Sequence, residues 1–376
     1  MKRLKFTVLL YFIIFPLIIA QNKGPIDLQA SHMTKELFYN LRYLSGKYIL
    51  FGHQNATSYG HSWKNEEDRS DVKDIVGAHP AVIGSDFGGL TSSNEETVEN
   101  AKSNLKKILQ DTYKWGGLVT ICWHLNNPVN NNTFYYDKNP IPAVPHILPG
   151  GNCHDKYKLY LDRIAEVALS AKNEKGEYIP FVFRPFHELD GDWFWWGKKH
   201  CTRNEFIQLW RFTVDYLRYT KDVHSILYAF SPDCRFTTEE EYLERYPGDE
   251  YVDMFGMDNY WDFRPDGANN PELAKKKLII ISRLAEKKGK LAAFTETGLE
   301  GVKQVDWYTN VLLPILKDEQ VKIAYVLVWR NAYDIEHHYY TPFLGHPAVD
   351  DFKKFYQDNV TWFEDDLRSF NLYQKK

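Results

Sequence analysis

Eight short apolar runs, each ending in residues capable of chemistry, set the strongest limit on what this chain can fold into. They are "YILFGHQ" from residue 48, "AVIGSDFG" from 81, "LVTICWH" from 118, "IPFVFRPFHE" from 179, "SILYAFSPD" from 225, "VDMFGMDNY" from 252, "LAAFTETG" from 291 and "IAYVLVWRN" from 323. The apolar part of each is nearly continuous and rich in β-branched and aromatic residues, as in strands covered on both faces. Between them, "SNEETVENAKSNLKKILQDTYKW", "DKYKLYLDRIAEVALSAK", "TRNEFIQLWRFTVDYLRYT", "PELAKKKLIIISRLAEKKG" and "QVDWYTNVLLPILKD" carry apolar residues at three- and four-residue steps. Ser93 with Glu96, and Thr202 with Glu205, have the spacing of capping boxes, and Pro314 is expected to disturb the last helix. Strand–helix alternation repeated eight times predicts an α/β fold of the (β/α)8 TIM-barrel type, and a chain of 376 residues suits one such barrel. No Gly/Ser-rich or Pro-rich linker divides it.

In such a barrel the C-terminal strand ends converge on one rim, where active sites form. In order, those ends carry His53, Asp86, His124, His187 with Glu188, Asp233, Asp258 with Tyr260, Glu296, and Trp329 with Arg330. Strands four and seven face each other across an eight-stranded ring, so Glu188 and Glu296 are placed to flank one bond. Glycosidic cleavage needs two opposed carboxyl groups: one protonates the departing oxygen, the other attacks or activates water at the anomeric carbon. A separation of about 5–5.5 Å would mark nucleophilic attack with retention of configuration. The stretch "RPFHELDGDWFWWG", residues 184 to 197, sets these acids among aromatic rings suited to the C–H faces of sugars. Of Trp193, Trp195 and Trp196, at least one is expected to stack on a sugar and the others to pack the loop. His187 should leave the pleat on the side opposite Glu188 unless the strand end twists. Tyr260 can hold a nucleophilic carboxylate, Trp329 can floor a sugar subsite, and Trp123 and His124 are further substrate contacts. Asp258 and Arg330 either touch substrate or pair with each other.

Other chemistries are disfavoured. A net charge of −4 gives no basic footprint for nucleic acid. There is no Gly-rich phosphate loop and no G-x-S-x-G elbow, and His337–His338 lack a third ligand at helical spacing, so neither cofactor nor metal is expected. Cys122, Cys153, Cys201 and Cys234 match no zinc pattern, and their pairing stays open, although a buried free thiol is natural for Cys122 inside an apolar run. At the N-terminus, Lys2, Arg3 and Lys5 precede the apolar "FTVLLYFIIFPLIIA" and the polar "QNKG". This predicts an export signal cut after Ala20, leaving residues 21–376 as a single catalytic domain, a monomer in the periplasm or outside the cell. At about 15 residues the apolar run is short of the ~20 that span a bilayer.

At "RPFHELDGDWFWWG", "FTETG" and "DNYW", supported by "FGHQ", "SPD" and "VWRN", the chain resembles glycoside hydrolase family 26, best known for endo-β-1,4-mannanases. These motifs run from about residue 50 to 331. The resemblance implies a (β/α)8 barrel and retaining double displacement on β-mannan. It places Glu188 on the acid/base and Glu296 on the nucleophile. His187, Trp193 and Tyr260 fall around the cleaved sugar, and His124, Trp329 and Arg330 on glycone-side contacts. β-1,3-Xylan or mixed-linkage glucan as substrate, or glycan binding without catalysis, are the alternatives.

Overall fold

The computed structural model describes residues 24–138 and 140–375; the expected export signal, residues 1–20, lies outside the described residues. All eight apolar runs form strands: β1 (Ile49–Gln54), β2 (Val82–Asp86), β3 (Leu118–Cys122), β4 (Phe181–Arg184), β5 (Ile226–Phe230), β6 (Met254–Phe255 and Asp258–Asn259), β7 (Leu291–Ala292 and Phe294–Thr297) and β8 (Tyr325–Val328). Each pairs in parallel with the next, and β8 pairs with β1, closing the ring.

The nearly continuous apolar runs have a direct explanation. Leu50, Val82, Leu118, Val182, Leu227, Met254, Leu291, Tyr325 and Leu327 fill the barrel interior, whereas Phe51, Val119, Phe181, Phe183, Tyr228, Phe255, Phe294 and Val326 face the helices. Successive residues thus alternate between two separate cores, with no polar face to interrupt the pattern. Helix His32–Leu44 packs Leu37, Phe38, Leu41 and Leu44 into the interior cluster. A further short strand, Thr361–Trp362, adds to the start of β1.

The outer helices follow the predicted segments. Glu95–Lys114, His154–Ser170, Arg203–Asp215 and Pro271–Lys288 are regular. The Thr202–Glu205 capping box forms in full. The Ser93–Glu96 box does not: Asn94 is the N-cap, accepting from Thr97 N at 3.0 Å, so the helix starts one residue later than that spacing implied. Around Pro314 the chain makes a π-turn, Tyr308–Leu312, followed by the short helix Leu313–Leu316, because proline removes an amide donor. Among the described residues no helix is long and apolar enough to cross a membrane. All four cysteines are free, with Cys122 buried as its run implied.

Candidate active site

Two local departures from regular strand geometry build the site. Phe294 pairs with Val326 and Thr297 with Val328, so β7 carries one residue more than β8 between those positions. Without this bulge Glu296 would share the helix-facing side with Phe294; with it, the carboxylate turns into the barrel mouth. β4 ends at Arg184, and the chain then places Phe186 and Glu188 at φ 50° and 52°, in the left-handed region that L-residues rarely adopt. That turn, fixed by Glu188 N donating to Ser231 O at 2.9 Å, breaks strand alternation. His187 therefore joins the site: one of its ring nitrogens, an Asp258 oxygen and a Glu296 oxygen lie within 4.8 Å of one another.

Arg184 is the hub beneath the rim. Its guanidinium donates to Asp258 Oδ2 at 2.6 Å, to Ser231 Oγ at 3.0 Å and to Glu296 Oε1. Tyr260 Oη donates to the other Glu296 oxygen, Oε2, at 2.9 Å. Thr295 Oγ1 donates to Asp258 Oδ1 at 2.7 Å. Asp258 therefore pairs with Arg184 and not with Arg330, and as a fully buried group it supports the site from below. In the sequence Arg184 stood out only as the first residue of the stretch 184–197. Its place two residues after Val182, on the inward face of β4, was the signal that it reaches the mouth. Replacing Arg184 by Met is expected to destabilise the fold by about 3–5 kcal/mol at neutral pH, since two buried carboxylates lose their counter-charge. A denaturant melt measures it.

Glu188 stands in a different environment. Burial, then the negative charges of Glu296, Asp258 and Asp233, push its pKa well above the usual carboxylate value, against a hydrogen bond from Trp193 Nε1 to Oε2 at 2.5 Å. Its proton is thus held more tightly than that of an ordinary carboxyl group, opposite a Glu296 held by a guanidinium and a phenol. Glu188, Trp193, Tyr260, Asp233, Arg235 and Trp261 line one cleft of about 850 Å³.

On the other side of the rim, Asp86 Oδ2 lies 2.5 Å from His124 Nδ1. Burial works against the charged ring of His124, but the Asp86 carboxylate outweighs it and raises the pKa. His187, by contrast, is driven well below 6.5 by burial, with His124 and Arg184 adding to the effect, and stays neutral. The ring of His124 meets those of His187 at 4.7 Å and Trp329 at 5.9 Å. Arg330 lies over Tyr59, 5.8 Å from its centroid. Trp123 does not come to the rim: it is fully buried, stacked on Tyr157 at 6.0 Å within the helix-facing core. Trp195 and Trp196 are also buried, donating to Leu125 O and His187 O, and pack the loop.

Among the described residues, two groups of side chains converge closely enough to hold a cation, Asp86–Cys122–His124 and His187–Asp258–Glu296. In the second, Arg184 already supplies the positive charge. Trp261 and Arg235 were missed from sequence. Trp261, half exposed beside Tyr260, sits within the quoted "DNYW", whereas nothing in "SPDCRF" singles out Arg235.

Comparison with known proteins gives the same picture. The family model described as "Glycosyl hydrolase family 26" matches residues 26–338. A mannan endo-1,4-beta-mannosidase of Bifidobacterium adolescentis is 33% identical over 353 residues, covering 89% of this chain; the match spans about a third (35%) of that longer protein. A GH26 beta-mannanase structure from Bacteroides ovatus superposes with a TM-score of 0.85 at 39% identity, covering 92% of this chain and 98% of that one. The catalytic domain of a GH26 endo-beta-1,4-mannanase from Bacillus sp. JAMB-750 gives 0.84 at 36% identity, with 95% and 99% covered. Barrel topology, opposed glutamates and these matches together make the chain a member of glycosyl hydrolase family 26.

Proposed function

We propose that this protein is a retaining endo-β-1,4-mannanase, cutting internal linkages of mannan, galactomannan or glucomannan. The observation that carries the reading is the contrast between two glutamates on opposite strands of one mouth: Glu188 surrounded by negative charge and held by Trp193, Glu296 braced by Arg184 and Tyr260. The relatives' identity as mannanases supports mannan as the polymer.

In the first step Glu296 Oε attacks the anomeric carbon while Glu188 passes its proton to the departing glycosidic oxygen, leaving a glycosyl ester and a shortened chain. In the second, Glu188 takes a proton from water, whose oxygen attacks the same carbon and breaks the ester, restoring both groups. Asp86 fixes the His124 tautomer, so that Nε2 is the atom free to meet a sugar hydroxyl. Trp329, half-buried beside His124, offers the adjoining aromatic surface.

Because Glu188 must be protonated, and its pKa is raised, the basic limb of kcat/KM should lie at a pH well above the range in which an ordinary carboxyl group ionises. Trp261→Ala is expected to raise KM about fivefold with kcat nearly unchanged, as an apolar surface for the leaving-side sugars is lost. Steady-state kinetics on manno-oligosaccharides reads this.

We further infer that residues 21–376 act as one exported catalytic domain and as a monomer. The basic and apolar leader supports export, and a site built wholly from one chain supports the monomer. The deciding experiment is a time course of the purified protein on linear mannan, β-1,3-xylan and mixed-linkage glucan, with products resolved by length and NMR of the first-formed anomer. Mixed-length manno-oligosaccharides with β-configured new ends are expected. Release of a single short product from the outset, an α-anomer, or preference for another polymer would defeat the assignment.

A further inference from the structure

Trp193 is gripped from three directions. Its Nε1–H donates to Glu188 Oε2 at 2.5 Å. A Cβ on Gly191 would stand 2.6–2.7 Å from Cη2, Cζ2 and Cζ3 of the indole. Near-equal distances to three consecutive ring carbons put that point over the face of the six-membered ring, not beyond its edge. The Gly191 backbone thus covers one face, and only a glycine fits there. The guanidinium carbon of Arg235 lies 5.1 Å from the ring centroid, and with one face taken it covers the other. Arg235 is carried by the segment after β5, and its nitrogens reach Asp233 at 3.4 Å and Asp192, next to Trp193, at 3.8 Å. One arginine therefore ties the segment after β5 to the acid-bearing loop after β4.

We propose that Arg235 is a positioning residue for Glu188, acting through Trp193, and that Trp193 serves as the acid's hydrogen-bond holder instead of a platform for a sugar. The proposal rests on Glu188 being the acid/base. A cation over an indole draws density from the ring and makes its N–H a better donor. That donor favours the ionised carboxyl over the protonated one. The other groups acting on Glu188 are Glu296, Asp258 and Asp233, which with burial hold its proton on, and the nearby phenols Tyr260 and Tyr135. Trp193 with Arg235 behind it supplies the opposing pull as the proton leaves. The sugar on the leaving side then has Trp261, half exposed on the same cleft, as its aromatic surface.

The test uses Arg235→Ala, Arg235→Lys and Trp193→Phe in the full protein, with kcat, KM and the pH profile of kcat/KM on a manno-oligosaccharide, and thermal melts to confirm folding. Arg235→Ala is expected to lower kcat about three- to tenfold with little change in KM. Its basic limb should move to higher pH, because with less pull the proton stays on Glu188 longer. Arg235→Lys should restore the limb in part, and Trp193→Phe, which removes the donor, should move it the same way and further. A lower KM in Arg235→Ala would mean the arginine was covering a sugar platform and overturns the proposal. So would an unmoved limb with unchanged kcat in a folded variant. A wild-type protein inactive on mannan, or a fully active Glu188→Ala, would instead overturn the acid/base reading, a result separable from the behaviour of Arg235.

Discussion

Glu296→Ala is expected to lose mannan hydrolysis by on the order of 10⁴-fold or more in kcat, since in the proposed double displacement both chemical steps pass through its ester. The fold should survive, because Arg184 keeps Asp258 as a partner at 2.6 Å. The vacated volume gives a direct check. With an activated β-mannoside and azide, the small anion can attack from the side that Glu296 occupied and yield the α-mannosyl azide. Substantial residual hydrolysis, or a β-azide from this variant, would rule Glu296 out as nucleophile.

Glu188→Ala should behave differently. On polysaccharide the loss is expected to be about 10²- to 10⁴-fold, the usual scale of general acid–base assistance. On a substrate whose leaving group needs no proton, the first step should stay fast and the glycosyl ester accumulate, giving a burst followed by slow turnover. Azide should then rescue the second step with the β-mannosyl azide as product, because it attacks the ester from the acid/base side. If the variant is equally slow on both substrates and shows no burst, Glu188 is not the proton donor. The two variants thus give azides of opposite configuration.

The fold was readable because its strands are covered on both faces: alternate residues such as Leu50 and Phe51 enter different apolar cores, so the strings in the sequence are continuous and the eightfold rhythm is plain. Strand number alone put Glu188 and Glu296 on opposite sides of one mouth, where the charge of one acts on the other. What strand periodicity hid was the local geometry. His187 enters the site because the chain turns left-handed on either side of it, and Glu296 because β7 carries an extra residue. Neither feature has a composition signal, as neither position is a glycine. Trp123 and Asp258 show the opposite error. Both lie at or near strand ends, yet Trp123 turns outward to Tyr157 and Asp258 downward to Arg184 and Thr295. Arg235 could not be read at all, since its role depends on a ring carried by another loop.

The guanidinium shared beneath the rim has a consequence for timing. Arg184 bridges the carboxyl groups of Asp258 and Glu296, and in the mechanism proposed above the charge of Glu296 is the foremost one holding the proton on Glu188. Once that carboxylate is locked into an ester it is neutral, and the same cation faces Asp258 alone. The negative charge has then passed from one wall to the other with the pocket's total unchanged: Glu296 is neutral, and Glu188, whose proton has left with the departing oxygen, carries it. Bond formation at one wall thereby resets the other from donor to acceptor, so the order of events is written into the electrostatics and needs no moving lid to enforce it.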